Sequence, residues 1–522
     1  MEAAGALHRS GPSMLLASVW EAVRSRSRTF WIVAGLTTLA AALRFATLGV
    51  QAYHHDEIVT ANRVLGGDFW HAMDAVGYSE SAPPLYYALA WLWTQVTGTA
   101  EYGLRSLSAL AGVATVPVAY LLGAELRDRR AGIAAAAIVA VNPMLLWYSQ
   151  EARGYSLLVL FSAVATLYFI RALDGGARRD FRGWGIASAL ALATHYFAFF
   201  PIFFQGLWLL WRRGRAALAG LWIAALAGVL LAPLVIHQAS YGHAEWIGGR
   251  TLGHRLWETG ATFAVGEIGD IIARPERPLL ALAPLILMGA ALLLPFVRRG
   301  DSSCAQPDAA RTRRGVLRML AIVAAAVAMP LAIAVAAPSK DFVLARNLLP
   351  ALVPLLAAVG VAVSMPSARR LGATIGGVLV AYSLGFCIWA SVSPGLQRPD
   401  WDAVAGRLGE ATAPRAMVTW TLGEASLRYY LPHGAYQAFA SEGFQWLVHE
   451  IDFVSDGPAP PVPSSLIDPR FRQVGYEKVG RLYVRRYAVP GPELAPLRLG
   501  LVRQADLKFH SNGVLLDGIG PP

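Results

Sequence analysis

Charge is what this chain has least of. Only 15% of its 522 residues are charged, against about 25% in an ordinary soluble protein. Hydrophobic residues make up 55%, and mean hydropathy is +0.45. This balance excludes a soluble enzyme and a disordered chain. Cysteine is nearly absent: Cys304 falls in a basic loop and Cys387 in an apolar segment, so there is no disulfide framework. No internal repeat or heptad pattern appears. Acids are outnumbered, 34 against 45 basic residues, for a net charge of +11. Several apolar runs reach the roughly 20 residues that cross a bilayer. In such a chain the basic excess belongs to cytoplasmic loops, so no nucleic-acid partner is expected. The sequence describes a polytopic membrane protein.

Arg9, Arg24, Arg26 and Arg28 precede the first run, 30–50, and place the N-terminus (1–29) in the cytoplasm. The run is too long, and its flank wrong, for a cleaved signal peptide. Further runs lie near 104–124, 131–149, 154–173, 184–211, 216–237, 279–297, 316–336, 347–364 and 371–392. The 184–211 run is too long for one crossing and carries His195, Tyr196 and Pro201 near its middle, so it reads as two short helices meeting at the far face. Arginine clusters at 127–130, 171–182, 212–215, 298–318 and 369–370, with the N-terminal four, hold 22 of the 45 basic residues and alternate correctly with the runs. Residues 51–103 hold six acids and one basic residue, Arg63, and are expected outside. Counting the short run 84–98 as a crossing would reverse that alternation. It reads instead as a re-entrant or interfacial helix, anchored at the outer leaflet by Tyr86, Tyr87, Trp91 and Trp93.

The expectation is therefore an all-α bundle of about eleven crossings over 30–393, in the plasma or inner membrane. From about 394 the composition changes and charge evens out, with 13 basic and 13 acidic residues. The segments 416–421 (AMVTWT) and 481–488 (RLYVRRYA) read as short strands. A small α/β domain, 394–522, is expected on the outer face.

Ionisable residues that reach this face are the candidates for chemistry. Tyr53-His54-His55-Asp56-Glu57 follows the first span and offers two carboxylates beside two imidazoles, suited to a general base or a metal. The plainer alternative has Asp56 capping a helix over 57–65 with Glu57 in its first turn. Adjacent histidines point apart and no spaced third ligand is evident, which argues against zinc. Glu80 lies ahead of Pro83-Pro84, either at the lipid–water boundary of a site or as a surface acid. Glu151 and Arg153 sit between two spans with almost no loop, partly sunk in the membrane, where ionisable groups are costly and functional by default. An internal Glu151–Arg153 or Arg153–Asp56 ion pair is the structural alternative. Arg346 begins a span from the outer side with Lys340 just ahead. Its guanidinium suits a bidentate phosphate clamp, or else it snorkels. His195, alone in an apolar stretch at an outer hairpin, suits a hydrogen-bonded structural role as well as a functional one.

These segments resemble the GT-C glycosyltransferases, specifically the bacterial relatives of protein O-mannosyltransferases and of lipid A aminoarabinose transferase. The resemblance rests on His55-Asp56-Glu57, Glu80 through Tyr87 (ESAPPLYY), Ser149 through Tyr155 (SQEARGY), Thr194-His195-Tyr196, Arg346 through Pro350 (RNLLP) and Arg398-Pro399-Asp400-Trp401. It covers about 30–400. Two departures stand out: Ser81-Ala82 intervene between Glu80 and Pro83, and Asn347 replaces an aromatic. The resemblance implies a GT-C bundle whose donor sugar, a mannose-like hexose or a pentose, is carried on a polyprenyl phosphate in the outer leaflet. It implies inverting transfer to an extracytoplasmic lipid, glycan or protein. Asp56 corresponds to the family's loop aspartate and Glu57 to its neighbour, as catalytic candidates. Glu80, Glu151, Arg153, His195, Lys340 and Arg346 are then expected to bind substrate. Inverting transfer needs a base, for which Asp56 is the natural choice. Arg346, Lys340 or Arg153 can stabilise the departing phosphate, with a divalent metal between Asp56 and Glu151 as the alternative. Competing readings are a flippase or transporter of lipid-linked sugars, a glycan ligase or polymerase using a diphosphate carrier, and a non-catalytic scaffold. Polar groups clustered at one face, without internal repeats, speak against a transporter.

Overall fold

The structure is a computed structural model that describes residues 27–241, 251–267, 278–297, 306–337, 342–431, 435–437, 446–507 and 512–518. The first long helix, α1 (Arg28–Phe45), starts where the Ser27 hydroxyl accepts the Phe30 N–H. The segment after it gives α2 (His55–Ile58), which runs into a π-helical turn, Val59–Val64, followed by α3 (Phe69–Ser79) and α4 (Leu85–Thr97). The bundle continues through α5 (Glu101–Leu126), α6 (Arg129–Val141), α7 (Pro143–Ser149), α8 (Tyr155–Asp174) and α9 (Arg178–Thr194). Next come α10 (Phe199–Arg213), α11 (Leu218–Ala239), α12 (Leu252–Val265), α13 (Pro278–Leu293) and α14 (Gln306–Ala336). A 3₁₀ segment, Ala345–Ala351, leads into α15 (Leu352–Val363), and α16 (Arg369–Val392) is the last long helix. The core is built on α5, α6, α8, α9 and α15, and α15 is buried along its whole length.

Among the described residues, seven helical stretches are long and apolar enough to cross a membrane, or eight if the bent pair α6–α7 is one span. One of the seven, Tyr196–Ala239, would be about 66 Å long as a straight helix. It is a hairpin: Gly214 turns the chain at φ +54°, and the Tyr196 hydroxyl donates to Gln238 Oε1 at 2.8 Å, closing its two ends. Counting the bent pair as one span, separating the hairpin's arms and adding α1 and α9, of 18 and 17 residues, gives eleven helical stretches among the described residues, the number of crossings expected. The break at His195 between α9 and α10 falls where the sequence placed it. Helix α4, with 13 residues, spans about 20 Å and is too short to cross.

Polar side chains repair the bend between α6 and α7. Asn142 caps α7 by accepting from Leu145 N at 3.0 Å. The carbonyls freed at the end of α6 are met by Arg44 Nη1 on Ala140 (3.0 Å) and by the Cys387 thiol on Val141 (3.3 Å). Non-helical backbone at membrane depth persists only where such partners exist. The arginine clusters gather at one end of the bundle: Arg318 pairs with Asp174, Arg171 with Glu125, and Arg127 donates to Ser364. Residues 51–100 and the His195 break lie at the other.

Beyond α16 the chain forms α17 (Trp401–Leu408), β1 (Arg415–Trp420), α18 (Thr421–Tyr430), β2 (Tyr436–Gln437), β3 (Trp446–Val448), β4 (Glu450–Asp456), β5 (Arg472–Val479), β6 (Leu482–Ala488), β7 (Ala495–Leu497), α19 (Leu499–Val502) and β8 (Asn512–Asp517). The main sheet has the order β2-β8-β1-β4-β6-β5, with β1 and β4 parallel and the other neighbours antiparallel. Both strands read from the sequence are present, as β1 and β6. Along β1, Met417 packs with α17 and α18 while Ala416 and Val418 pack on the opposite face, the two-residue period of a strand covered on both sides. Tyr430 ties this domain to the bundle: its hydroxyl accepts from Tyr53 N at 2.6 Å and donates to Glu101.

Candidate active site

The segment after α1 enters a helix at His54, and the first turn turns its two acids in different directions. Glu57 faces inward and is fully buried. Its carboxylate accepts from Arg105 Nε (2.7 Å) and Nη2 (2.8 Å), from Ala152 N (2.8 Å) and from His54 N (2.9 Å), with Arg398 Nε at 3.9 Å. Arg105 also donates to the carbonyls of Leu48, Gln51 and Ala52. Burial raises the Glu57 pKa, but Arg105, Arg398 and these hydrogen bonds hold it well below the usual carboxylate range. Expected as a catalytic partner of Asp56, Glu57 has its lone pairs occupied and no open face towards a substrate. It is a clamp joining the first loop, α5 and the 150–153 turn.

Asp56 has the opposite character. It lies inside α2, with His54 at the cap position, so the helix-cap alternative does not describe it. Among the described residues its carboxylate has one partner, Arg346 Nη1 at 3.4 Å, and the two side chains are 30% and 27% exposed. That distance is long for a hydrogen bond, so the pair is open. Partial burial favours the neutral acid, but Arg153, Arg346, His54 and His55 together hold the Asp56 pKa well below its ordinary value.

Arg153 and Glu151 take neither of the pairings expected of them. Arg153 forms a bidentate pair with Glu80 (2.8 and 3.0 Å) and lies over the Tyr87 ring, touching Asp56 only through its backbone carbonyl at 3.4 Å. Glu80 is buried within the protein, so the surface-acid alternative does not describe it. Tyr86 and Tyr87, expected as interfacial anchors, are buried in the packing of α4 against the bundle, because the short helix lies on protein. Trp91 and Trp93 donate to Gly67 O and Ser106 Oγ. Glu151 pairs with Arg398 Nη2 at 3.0 Å, and Arg398 also donates to Gln150 O and stacks over Trp147 at 4.4 Å. Burial pushes the Glu151 pKa up to about 7; Arg398 opposes the shift, and the charges of Glu57, Glu267 and Asp56 add to it. Glu151 is thus held by Arg398. Among the described residues no three His, Cys, Asp or Glu side chains are grouped to hold a metal.

His195 lies between Tyr155 and Phe197, its ring centroid 5.7 and 5.5 Å from theirs, and its Nδ1 accepts from Phe197 N. Tyr155 lies against Tyr148, ring centroids 4.6 Å apart and planes tilted by 59°, and the Tyr148 hydroxyl donates to Glu267. Gly266, at φ +81° against the Pro143 carbonyl, turns the chain after α12 so that Glu267 arrives there. Tyr155, Asp56, Glu267 and Tyr148 are the electrostatic neighbours of Arg346. The site is thus an open acid–arginine pair beside a wall of two tyrosines and a histidine. Lys340 lies outside the described residues. The sequence reading passed over Arg105, Glu267 and Tyr148 as site residues and quoted Arg398 only within a motif. An arginine inside an apolar run was the available signal for Arg105.

A family model described as dolichyl-phosphate-mannose-protein mannosyltransferase matches residues 81–237, less than a third of the chain. None of the curated proteins matches. Among solved structures, ArnT from Cupriavidus metallidurans in the apo state superposes with a TM-score of 0.54 at 13% identity, covering 88% of this chain and 98% of that one. The same protein bound to undecaprenyl phosphate gives 0.49 at 14% identity, with the same coverage. The Saccharomyces cerevisiae Pmt1–Pmt2 complex bound to the sugar donor gives 0.31 at 19% identity, covering 43% of this chain and 34% of that one. The chain has the ArnT-like GT-C fold, and its residues 81–237 are similar in sequence to dolichyl-phosphate-mannose-protein mannosyltransferases.

Proposed function

We propose that the protein is an integral membrane glycosyltransferase that moves one sugar from a polyprenyl phosphate to a hydroxyl outside the cell membrane. The observation that supports this reading most is the open Asp56–Arg346 pair at 3.4 Å. Glu57, Glu80, Arg105, Arg153 and Arg398 are each spent on a buried partner. Among these site residues, Asp56 and Arg346 combine opposite charge with access, and they sit beside rings on which a sugar can stack.

In the proposed reaction the acceptor oxygen attacks the anomeric carbon, the bond from that carbon to the phosphate oxygen breaks, and the configuration inverts. Asp56 takes the acceptor proton. Arg346 turns from Asp56 to the donor phosphate and stabilises the charge that gathers there as it leaves. This exchange also raises the basicity of Asp56, because the cation beside it is then neutralised by phosphate. Before donor arrives Asp56 is ionised but weak as a base; with donor in place it becomes a stronger one. Arg153, held by Glu80, reaches the Asp56 carbonyl and helps to keep the Asp56 carboxylate ionised.

The arginine-rich end of the bundle is placed in the cytoplasm, with the site and the C-terminal domain, 394–522, outside. The sugar is a hexose or pentose and the acceptor a lipid, glycan or protein of the cell envelope. The test is transfer of labelled sugar in proteoliposomes from purified polyprenyl-phosphate sugars. A flippase would move the lipid-linked sugar across the bilayer without changing its covalent attachment, and a diphosphate-dependent ligase would ignore the monophosphate donors.

A further inference from the structure

Away from Asp56, a cavity of about 280 Å³ lies where the end of α16 meets the sheet, lined by Trp389, Leu396, Asp456, Lys478, Arg481 and Tyr483 among others. Its two sides differ in chemistry. On the α16 side Trp389 is exposed, together with Ile388 and Val392 of the same stretch. This apolar rim continues the outer surface of a long apolar helix, and a tryptophan at such a helix end is typical of the depth at which headgroups lie. On the sheet side Arg481 is neutralised by Asp456, with Nε on Oδ1 at 2.8 Å, and also reaches Gln397 O at 3.4 Å. Lys478 is different: it is exposed on β5, its ammonium lies 5.8 Å from the Tyr483 ring centroid, and among the described residues no carboxylate pairs with it. The cavity therefore carries one uncompensated positive charge beside an apolar rim.

A free anion gains nothing from that rim, and an uncharged headgroup gains nothing from that ammonium. The volume is near the lower end for small-molecule sites, about 300 Å³, which suits a headgroup alone. We propose that this cavity binds the phosphate headgroup of an anionic amphiphile, with the apolar tail lying along α16, as a site separate from Asp56 and Arg346. The two sites share a chain segment. Arg481 holds Gln397, the next residue is the Arg398 that pairs with Glu151, and Leu396 also lines a crevice with Trp147 and Gln150.

The phosphate can come from an anionic phospholipid or from a polyprenyl phosphate. The experiment is native mass spectrometry of the full-length protein in detergent, titrated separately with phosphatidylglycerol, undecaprenyl phosphate and phosphatidylcholine. An Arg346→Ala background removes the proposed donor contact, so failure of the donor reading and failure of this one give different results. In that background at least one anionic lipid should still bind, and phosphatidylcholine should bind about tenfold more weakly or worse. Lys478→Glu should weaken the anionic lipid about tenfold, the scale of one charged contact, and Trp389→Ala should weaken it less. The lipid that responds to Lys478→Glu identifies the source. Equal binding of phosphatidylcholine, or anionic binding unchanged by Lys478→Glu, overturns the proposal.

Discussion

Replacing Arg105 by methionine should cost more stability than any substitution in the open part of the site. Arg105 and Glu57 have side chains 1% and 0% exposed and are joined at 2.7 Å. Removing one partner of a buried ion pair costs about 3–5 kcal/mol, because the other charge stays buried. Two features set the value here. Glu57 keeps the N–H groups of Ala152 and His54 and the more distant Arg398, which pulls the loss to the lower end. Against that, Leu48, Gln51 and Ala52 each lose a donor to their carbonyls, at about 1 kcal/mol or more apiece wherever water cannot replace it. A net loss of about 4 kcal/mol follows from these terms, a large part of the roughly 5–15 kcal/mol that holds a folded protein together. The assay is a double-mutant cycle with Glu57→Gln, followed by reversible unfolding of the purified protein in mixed micelles. Because Glu57→Gln removes the charge that Arg105 compensates, the double variant should be less destabilised than the sum of the singles by about 2 kcal/mol. Singles that add to within about 0.5 kcal/mol would refute the clamp, and with it the separation of Glu57 from Asp56.

Arg346→Ala should raise the donor concentration for half-maximal transfer about 10- to 150-fold, the worth of one charge-assisted phosphate contact; Arg346→Lys should fall between, since it keeps charge and loses the planar fork. Unchanged donor dependence in both would leave Arg346 as a snorkelling residue. Glu151 has a folded-state pKa raised from 4.5 to about 7, so its contribution to stability is complete below about 4.5 and is lost as pH rises through about 7. Glu151→Gln should therefore flatten the stability profile across that window, measured by thermal unfolding at a series of pH values; a profile as steep as wild type removes Glu151 as its source. Reporters fused after Gly77 and at the C-terminus should read external and one after Gly300 cytoplasmic, and an external reading at 300 would overturn the orientation.

Much of the bundle was legible because long apolar runs and arginine clusters are local signals. The re-entrant reading of 84–98 came from the same alternation, and α4 is indeed too short to cross. What α4 packs against was not legible: tyrosines in a short apolar helix suit lipid headgroups as well as protein, and Tyr86 and Tyr87 chose protein. Pairing failed for the same reason. Glu151 and Arg153 are two residues apart, yet Arg398 and Glu80, distant in sequence, take them. Asp56 and Glu57 are neighbours of identical chemistry class. Their division into an open acid and a saturated one depends on Arg105 and the Ala152 N–H arriving from elsewhere. The open pair between Asp56 and Arg346 joins residues 290 apart, a distance no motif spans.

The most direct measurement is single-turnover transfer by Asp56→Asn, with donor binding measured on the same sample. The amide keeps the shape and cannot take a proton, so the rate should fall about 10²- to 10⁴-fold, the worth of a general base. Donor binding should be as tight as in wild type or tighter, because Arg346 is released from its carboxylate partner. Transfer near the wild-type rate would contradict the account, as would a loss of donor binding in step with activity.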